Sequence, residues 1–126
     1  MTKKISKKSR DYAAEAKQFL SAFATMQQET HQNAVNHGWH TNPIENGTMI
    51  ALIHSELSEA LEAMRKNPDA PSEHIPDFTA VEEEIADVVI RCMDLSGKNG
   101  YRLAEAILAK HTFNLTRPYR HGGKKF

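Results

Sequence analysis

The sequence predicts an all-α fold, an antiparallel bundle of four helices built from a single domain over residues 1–126. Two observations predict it: apolar residues recur three and four positions apart in four segments, and no segment alternates apolar and polar residues as a strand does. A chain of this length is expected to form one hydrophobic core. Residues 1–10 form a basic N-terminal segment, and residues 118–126 form a basic C-terminal tail.

The first two helices are separated by a short loop that contains a glycine and a proline. The first helix is expected over residues 11–36, with Gly38 as its stop. The second is expected to run from Pro43, with Asn42 as its N-cap, to Lys66. The predicted buried stripes are Tyr12, Ala16, Phe19, Phe23 and Met26 in the first helix and Ile50, Ile53, Leu57, Leu61 and Met64 in the second.

A third helix follows a loop over residues 67–78 that carries three prolines. Thr79 and Glu82 have the spacing of a capping box, so the helix is expected to begin near Thr79. Gly97 and Gly100 are expected to close it. Its predicted buried stripe is Val81, Ile85, Val88, Cys92 and Leu95.

Composition argues against several classes of protein. Lysine plus arginine and aspartate plus glutamate each number 16, so the balanced charge predicts no nucleic-acid partner. The single cysteine, Cys92, excludes an intrachain disulfide and fits a reducing compartment. No apolar run reaches the roughly 18–20 residues of a membrane span, so we expect a soluble, cytoplasmic protein with no membrane partner. Apolar residues left over on the long first helix favour a homo-oligomer over a monomer.

Two short acidic motifs carry the main functional signal. They are Glu-Leu-Ser-Glu at residues 56–59 and Glu-Ile-Ala-Asp at residues 84–87. Each motif places two carboxylates three residues apart, on one side of its helix. If the two helices fold back antiparallel, all four carboxylates converge, and oxygen ligands favour magnesium, manganese or calcium over zinc. The candidate metal ligands are Glu56, Glu59, Glu84 and Asp87.

A solvated surface is the alternative interpretation of these acids. Surface glutamates on helices are usually paired with a base four residues later, as Glu62 is with Lys66. Of the four acids in the motifs, Asp87 has such a partner in Arg91. Like charges three residues apart repel each other, which destabilises a helix. Because both motifs carry this repulsion, a bound cation that neutralises it is favoured over a solvated surface. A ferritin-like di-iron site is disfavoured because neither motif carries the histidine that such sites require.

A fourth helix is expected over residues 101–117, and one of its faces is basic. Lys110, Asn114 and Arg117 are spaced four and three residues apart, and Arg120 adds charge in the tail. Lysine and arginine both suit phosphate oxygens, so this face predicts phosphate binding. The alternative is that basic residues late in a helix complement its dipole.

Trp39 is the one tryptophan of the chain and lies in the polar loop between the first two helices. Two interpretations stay open: the ring stacks on a nucleobase, or it plugs the end of the bundle. His37 and His40 flank Trp39 and are candidates for substrate contact, but their spacing forms no metal site with Cys92.

With these motifs, the chain resembles the MazG-like, all-alpha nucleoside triphosphate pyrophosphohydrolases. The family pattern is Glu-x-x-Glu, a gap, and Glu-x-x-Asp, often followed by Lys-x-x-x-Asn-x-x-Arg on the next helix. Residues 38–125 carry the likeness, and residues 60–83 form the gap. The resemblance implies a MazG-like four-helix bundle that cleaves a nucleoside triphosphate between its α- and β-phosphates. It also implies homodimers or homotetramers in which neighbouring chains help to close each site.

The resemblance further implies a role for each matched residue. The four acids would bind Mg²⁺, or Mn²⁺ in its place, and a glutamate such as Glu56 would also orient the attacking water. Phosphates would be held by Lys110, Asn114 and Arg117. Two alternatives stay open: a related hydrolase for dUTP, dCTP or phosphoribosyl-ATP, and a non-catalytic helical oligomer that binds nucleotide or a protein partner.

Overall fold

The computed structural model describes residues 2–119, and their side chains from residue 12 onward. Its four helices are α1 (Thr2–Asn36), α2 (Asn46–Lys66), α3 (Ala80–Asn99) and α4 (Leu103–Leu115). Between residues 2 and 119 there is no strand, and Pro71 and Thr79 form one isolated bridge. The predicted all-α class is therefore confirmed, whereas the family and the oligomeric state stay predictions.

The chain divides into two compact units. One comprises residues 26–101, which include the second part of α1, all of α2 and all of α3. The other comprises the chain up to Thr25 and the chain from Arg102, which includes α4. In the part of the chain that the structure describes, no helix has both the length and the hydropathy to span a membrane.

Four of the predicted helix boundaries are wrong. Helix α1 begins at Thr2 rather than near residue 11, because the basic segment contains neither glycine nor proline and lysine and arginine are good helix formers. Helix α2 begins at Asn46 after an extended N-cap at Glu45, whose side chain makes no capping hydrogen bond, so the residues from Asn42 to Ile44 belong to the loop. Helix α4 is two residues shorter at each end than expected.

The ends of α3 follow local signals. The capping box is confirmed: the Glu82 amide donates to Thr79 Oγ1 at 3.1 Å, and the Thr79 amide donates to Glu82 Oε2 at 2.7 Å. Gly100 ends the helix in the left-handed region, with φ of 67°. Gly97 does not end it but lies inside it, where a Cβ would come within 2.7 Å of His31 Cβ. Glycine at this position therefore allows α1 and α3 to approach closely.

Helices α2 and α3 pack together as an antiparallel pair. At one end of the pair, the Lys98 ammonium donates to the Ile44 carbonyl and, at 3.1 Å, to Asn46 Oδ1. At the other end, the buried Ser72 hydroxyl accepts from two loop amides at 3.1 and 3.0 Å and donates to Glu83. Hydrogen bonds therefore join the two helices at one end, and at the other end they fix the connecting loop to α3.

The stripe of α2 that was predicted to be buried is largely exposed. Four of its members, between 44% and 51% exposed, form what we call the α2 stripe: Ile50, Leu57, Leu61 and Met64. The buried residues of α2 are Met49, Glu56 and Ala60, which lie at adjacent positions on the helix. The contact with α3 is therefore centred on the acidic motif, and the α2 stripe lies one residue, or about 100°, around the helix from it.

Candidate functional site

Three of the four predicted acids come together between α2 and α3. Glu56, Glu84 and Asp87 each place a carboxylate oxygen within 4.8 Å of the others. Glu56 is buried and comes from α2, while Glu84 and Asp87 are half-buried and come from α3. Glu59 is exposed and lies at the edge of this group, where it interacts electrostatically with Glu56 and Glu84. We call these four residues the acidic cluster.

Arg91 interacts with the acidic cluster differently from the sequence prediction. Its spacing from Asp87 suggested a surface pair along α3, but its Nε donates to Glu56 Oε1 on α2 at 2.6 Å. The side chains of Arg91 and Glu56 are 34% and 9% exposed, so this ion pair crosses the helix interface in a largely buried setting. One arginine therefore offsets one charge of a cluster that contains four carboxylates.

The pKa values of the cluster show where the remaining charge is poorly accommodated. Burial, reinforced by the Glu56 hydrogen bond and the charges of Glu59, Glu56 and Asp87, raises the pKa of Glu84 to about 7. Burial and repulsion from Glu56 also raise the pKa of Asp87, and contact with Glu56 raises that of Glu59. Burial alone would raise the pKa of Glu56, but the Arg91 hydrogen bond and other contacts lower it overall. The cluster therefore favours the uptake of a proton or a cation.

A second polar cluster lies between α1 and α3, and sequence analysis missed it. Asp94 Oδ1 accepts from His31 Nδ1 at 2.7 Å and from His40 Nε2 at 2.8 Å. The three residues are half-buried and lie far apart in sequence, which is why their spacing gave no motif. One signal was present: Asp94 follows Asp87 by seven residues, which places both on the same side of α3. His37, which was grouped with His40, instead lies just after α1 and contacts the Asn33 carbonyl of that helix at 2.8 Å.

A cavity of about 440 Å³ connects the two clusters. Asp87 of the acidic cluster and its neighbour Arg91 line it, and so do His40 and Asp94 of the second cluster. Most of the remaining wall is apolar: Met26, Ala34, Trp39, Ile44, Met49, Leu52 and Ile90. Trp39 belongs to this wall and is 59% exposed, so its ring is not packed into the core of this chain, and stacking on a nucleobase stays a prediction.

The basic face of the fourth helix belongs to the other compact unit. Lys110 and Asn114 lie on α4, and the Lys110 ammonium stands 4.7 Å from the centroid of the Phe113 ring. Arg117 lies beyond the end of α4, and its amide donates to the Asn114 carbonyl at 3.2 Å, so the three residues do not form a continuous helical face. Arg120 lies outside the described residues. A role of this face in binding phosphate stays a prediction.

The fold and the site define a class: an all-α protein in which an antiparallel helix pair presents a carboxylate cluster at the wall of an apolar cavity. Comparisons with protein-family models, with curated proteins and with solved structures find no match for this chain. The likeness to MazG-like proteins therefore depends on the sequence motifs, and the functional argument depends on the residues of the site.

Proposed function

We propose that the protein is a Mg²⁺-dependent nucleoside triphosphate pyrophosphohydrolase of the MazG-like type. The observation that supports this most is that Asp87 of the acidic cluster, together with Arg91 that pairs with Glu56, lines a largely apolar cavity. A nucleotide needs both environments next to each other, because its phosphates require cations and its base requires an apolar, stacking surface.

The acidic cluster fits a hard divalent cation. All of its ligand atoms are carboxylate oxygens, and three of them lie within 4.8 Å of one another. Burial, followed by repulsion between these carboxylates, raises the pKa values of Glu84 and Asp87. Glu56, Glu59, Glu84 and Asp87 would hold Mg²⁺, which supplies charge neutralisation for the phosphates and lowers the pKa of a bound water.

The residues of the cluster also have roles in the reaction that we propose. A glutamate of the cluster, such as Glu56, would also orient the attacking water. Attack at the α-phosphorus breaks the bond to the bridging oxygen, forms the monophosphate and releases pyrophosphate. Arg91 borders both the acidic cluster and the cavity, where a fixed cation offsets the negative charge that builds up on the phosphates.

The first experiment is an assay of pyrophosphate release from a panel of canonical, deoxy and modified nucleoside triphosphates, with Mg²⁺ and with EDTA. We expect metal-dependent release of pyrophosphate rather than of single phosphate. Glu59→Gln and Asp87→Asn should each lower the rate at least about 100-fold while the protein stays folded. Glu62→Gln is the matched control, since Glu62 lies on α2 but pairs with Lys66 at 3.5 Å outside the cluster.

Two results would contradict the proposal: release of single phosphate, or no turnover of any triphosphate by the folded protein. In the second case phosphoribosyl-ATP is the next substrate to test. A non-catalytic oligomer would be indifferent to both substitutions.

We also propose that the protein assembles as a homodimer or homotetramer. The α2 stripe supports this, because Ile50, Leu57, Leu61 and Met64 form a continuous apolar surface that this chain leaves exposed. On α3, Ile85 and Val89 are 43% and 45% exposed and extend the apolar surface of the same helix pair. Contact between such surfaces of two chains would bury what a single chain does not.

A further inference from the structure

Asp94 is held in a fixed orientation inside the cavity. His31 Nδ1 and His40 Nε2 both donate to Oδ1, and His40 Nε2 also approaches Oδ2 at 3.1 Å. The two imidazole rings meet edge to face with their centroids 4.9 Å apart, so each ring limits the movement of the other. The Asp94 side chain is 16% exposed. Two donors on the same oxygen leave Oδ2 as the atom with spare capacity to accept a hydrogen bond.

The surroundings of Asp94 match those of a base-binding site. Asp94 lines the same cavity as Trp39, whose ring offers a stacking surface, and as Asp87 of the acidic cluster. Glu29 and Asn33 also line this cavity, but both side chains are exposed, whereas Asp94 is half-buried. A base stacked on Trp39 with its phosphates at the acidic cluster would thus meet a fixed carboxylate within the cavity.

We propose that Asp94 selects the nucleobase and favours bases that carry an exocyclic amine, such as cytosine and adenine, over their deaminated counterparts. This inference rests on the proposed function and specifies its substrate class. A carboxylate only accepts hydrogen bonds, so it pairs with the amine of cytosine or adenine and repels the carbonyl oxygen that replaces that amine in uracil or hypoxanthine. His31 and His40 act as positioning residues, since they orient Asp94.

The expected discrimination is large. A buried site that hydrogen-bonds a substrate group rejects an analogue that lacks the group, because a polar atom is then left unpaired. With a charged acceptor, we expect a preference of roughly 10- to 100-fold for the amine-bearing member of each pair.

The test is a direct competition for kcat/KM between dCTP and dUTP, and between dATP and dITP. Each pair differs at the exocyclic group and at the ring nitrogen beside it, which carries a proton only in the deaminated base. The wild type should favour dCTP and dATP at least about tenfold. In Asp94→Asn both ratios should fall to one or below, because the two histidines hold the amide oxygen and leave the NH2 group, which only donates, to face the base. Asp77→Asn is the control, since Asp77 is exposed in the loop before α3 and does not line the cavity.

Ratios within one enzyme sample do not depend on the folded fraction, so a variant that merely folds less well leaves them unchanged. A second measurement separates this inference from the proposed function: calorimetric binding of dCMP and dUMP in the presence of Mg²⁺, where no turnover occurs. Pyrophosphate release with equal ratios, or with a preference for dUTP, overturns the inference and leaves the proposed function intact. Tighter binding of dCMP that depends on Asp94, without hydrolysis of any triphosphate, upholds the inference and overturns the proposed function. If neither hydrolysis nor preferential binding occurs, both are wrong.

Discussion

Replacement of Glu84 by glutamine is expected to stabilise the metal-free protein and to weaken its stabilisation by Mg²⁺. The folded protein raises the pKa of Glu84 from 4.5 to about 7, mainly through burial and the nearby carboxylates. A rise of that size corresponds to roughly 3 kcal/mol, and because Glu84 is only half-buried we reduce the expected gain to about 1 kcal/mol. For a domain of this size, that is an increase in Tm of about 3–5 °C at pH 8 in EDTA.

The gain should depend on pH in a defined direction. Because the folded-state pKa of Glu84 is raised, the fold accommodates the neutral carboxyl better than the charged one. The stability that goes with the neutral form is fully present below pH 4.5 and is lost as the pH rises through about 7. Glu84→Gln should therefore exceed the wild type above pH 7, and the difference should shrink as the pH falls towards 4.5. The measurement is thermal unfolding followed by circular dichroism across this range.

Saturating Mg²⁺ should reverse the order of stability. A ligand at 100 times its dissociation constant adds about 2.7 kcal/mol to the free energy of unfolding, and the wild type should gain this while Glu84→Gln gains much less. Glu62→Gln removes a charge from the exposed side of α2 and should match the wild type in both conditions. The reasoning is refuted if Glu84→Gln is no more stable than the wild type in EDTA, or if it keeps the full response to Mg²⁺.

Two further predictions concern the helix pair itself. Arg91→Met leaves the largely buried Glu56 without its partner. It should lower the free energy of unfolding, measured by urea unfolding, by about 2 kcal/mol in EDTA but by less in Mg²⁺. An equal loss in both conditions would argue against a metal at Glu56. Leu61→Glu places a charge in the middle of the exposed α2 stripe and should convert a dimer or tetramer into a monomer of unchanged helicity, as measured by light scattering with circular dichroism. A monomeric wild type, or a variant of unchanged mass, would show that this stripe is not the interface.

Local signals made much of the fold predictable from the sequence. The capping box of Thr79 and Glu82 is formed by residues within one turn, so its sequence pattern already contains its geometry. The left-handed conformation at Gly100 is likewise a property of one residue. The gathering of Glu56 with Glu84 and Asp87 needed one further assumption, that the two helices fold back antiparallel, and the structure has that arrangement.

The features that sequence analysis missed depend on contacts between distant residues. An apolar stripe shows that a helix has an apolar side, but not whether its own chain or another chain covers it, so the α2 stripe was wrongly assigned to the core. The partner of Arg91 was likewise misassigned, because Glu56 on another helix competes with Asp87 one turn away. The link between Asp94 and two histidines on another part of the chain follows from how closely α1 approaches α3, which no spacing encodes.

The close approach of α1 to α3 gives Gly97 an influence on the position of His31, although glycine has no functional side chain. Gly97 lies outside the cavity wall and offers no functional group, yet a Cβ at this position would stand 2.7 Å from His31 Cβ. Any larger residue would have to push His31 away from α3 and so loosen its 2.7 Å contact with Asp94. If Asp94 selects the nucleobase as we propose, a substitution at Gly97 would change substrate preference from a position outside the cavity wall, while the residues that line the cavity stay the same.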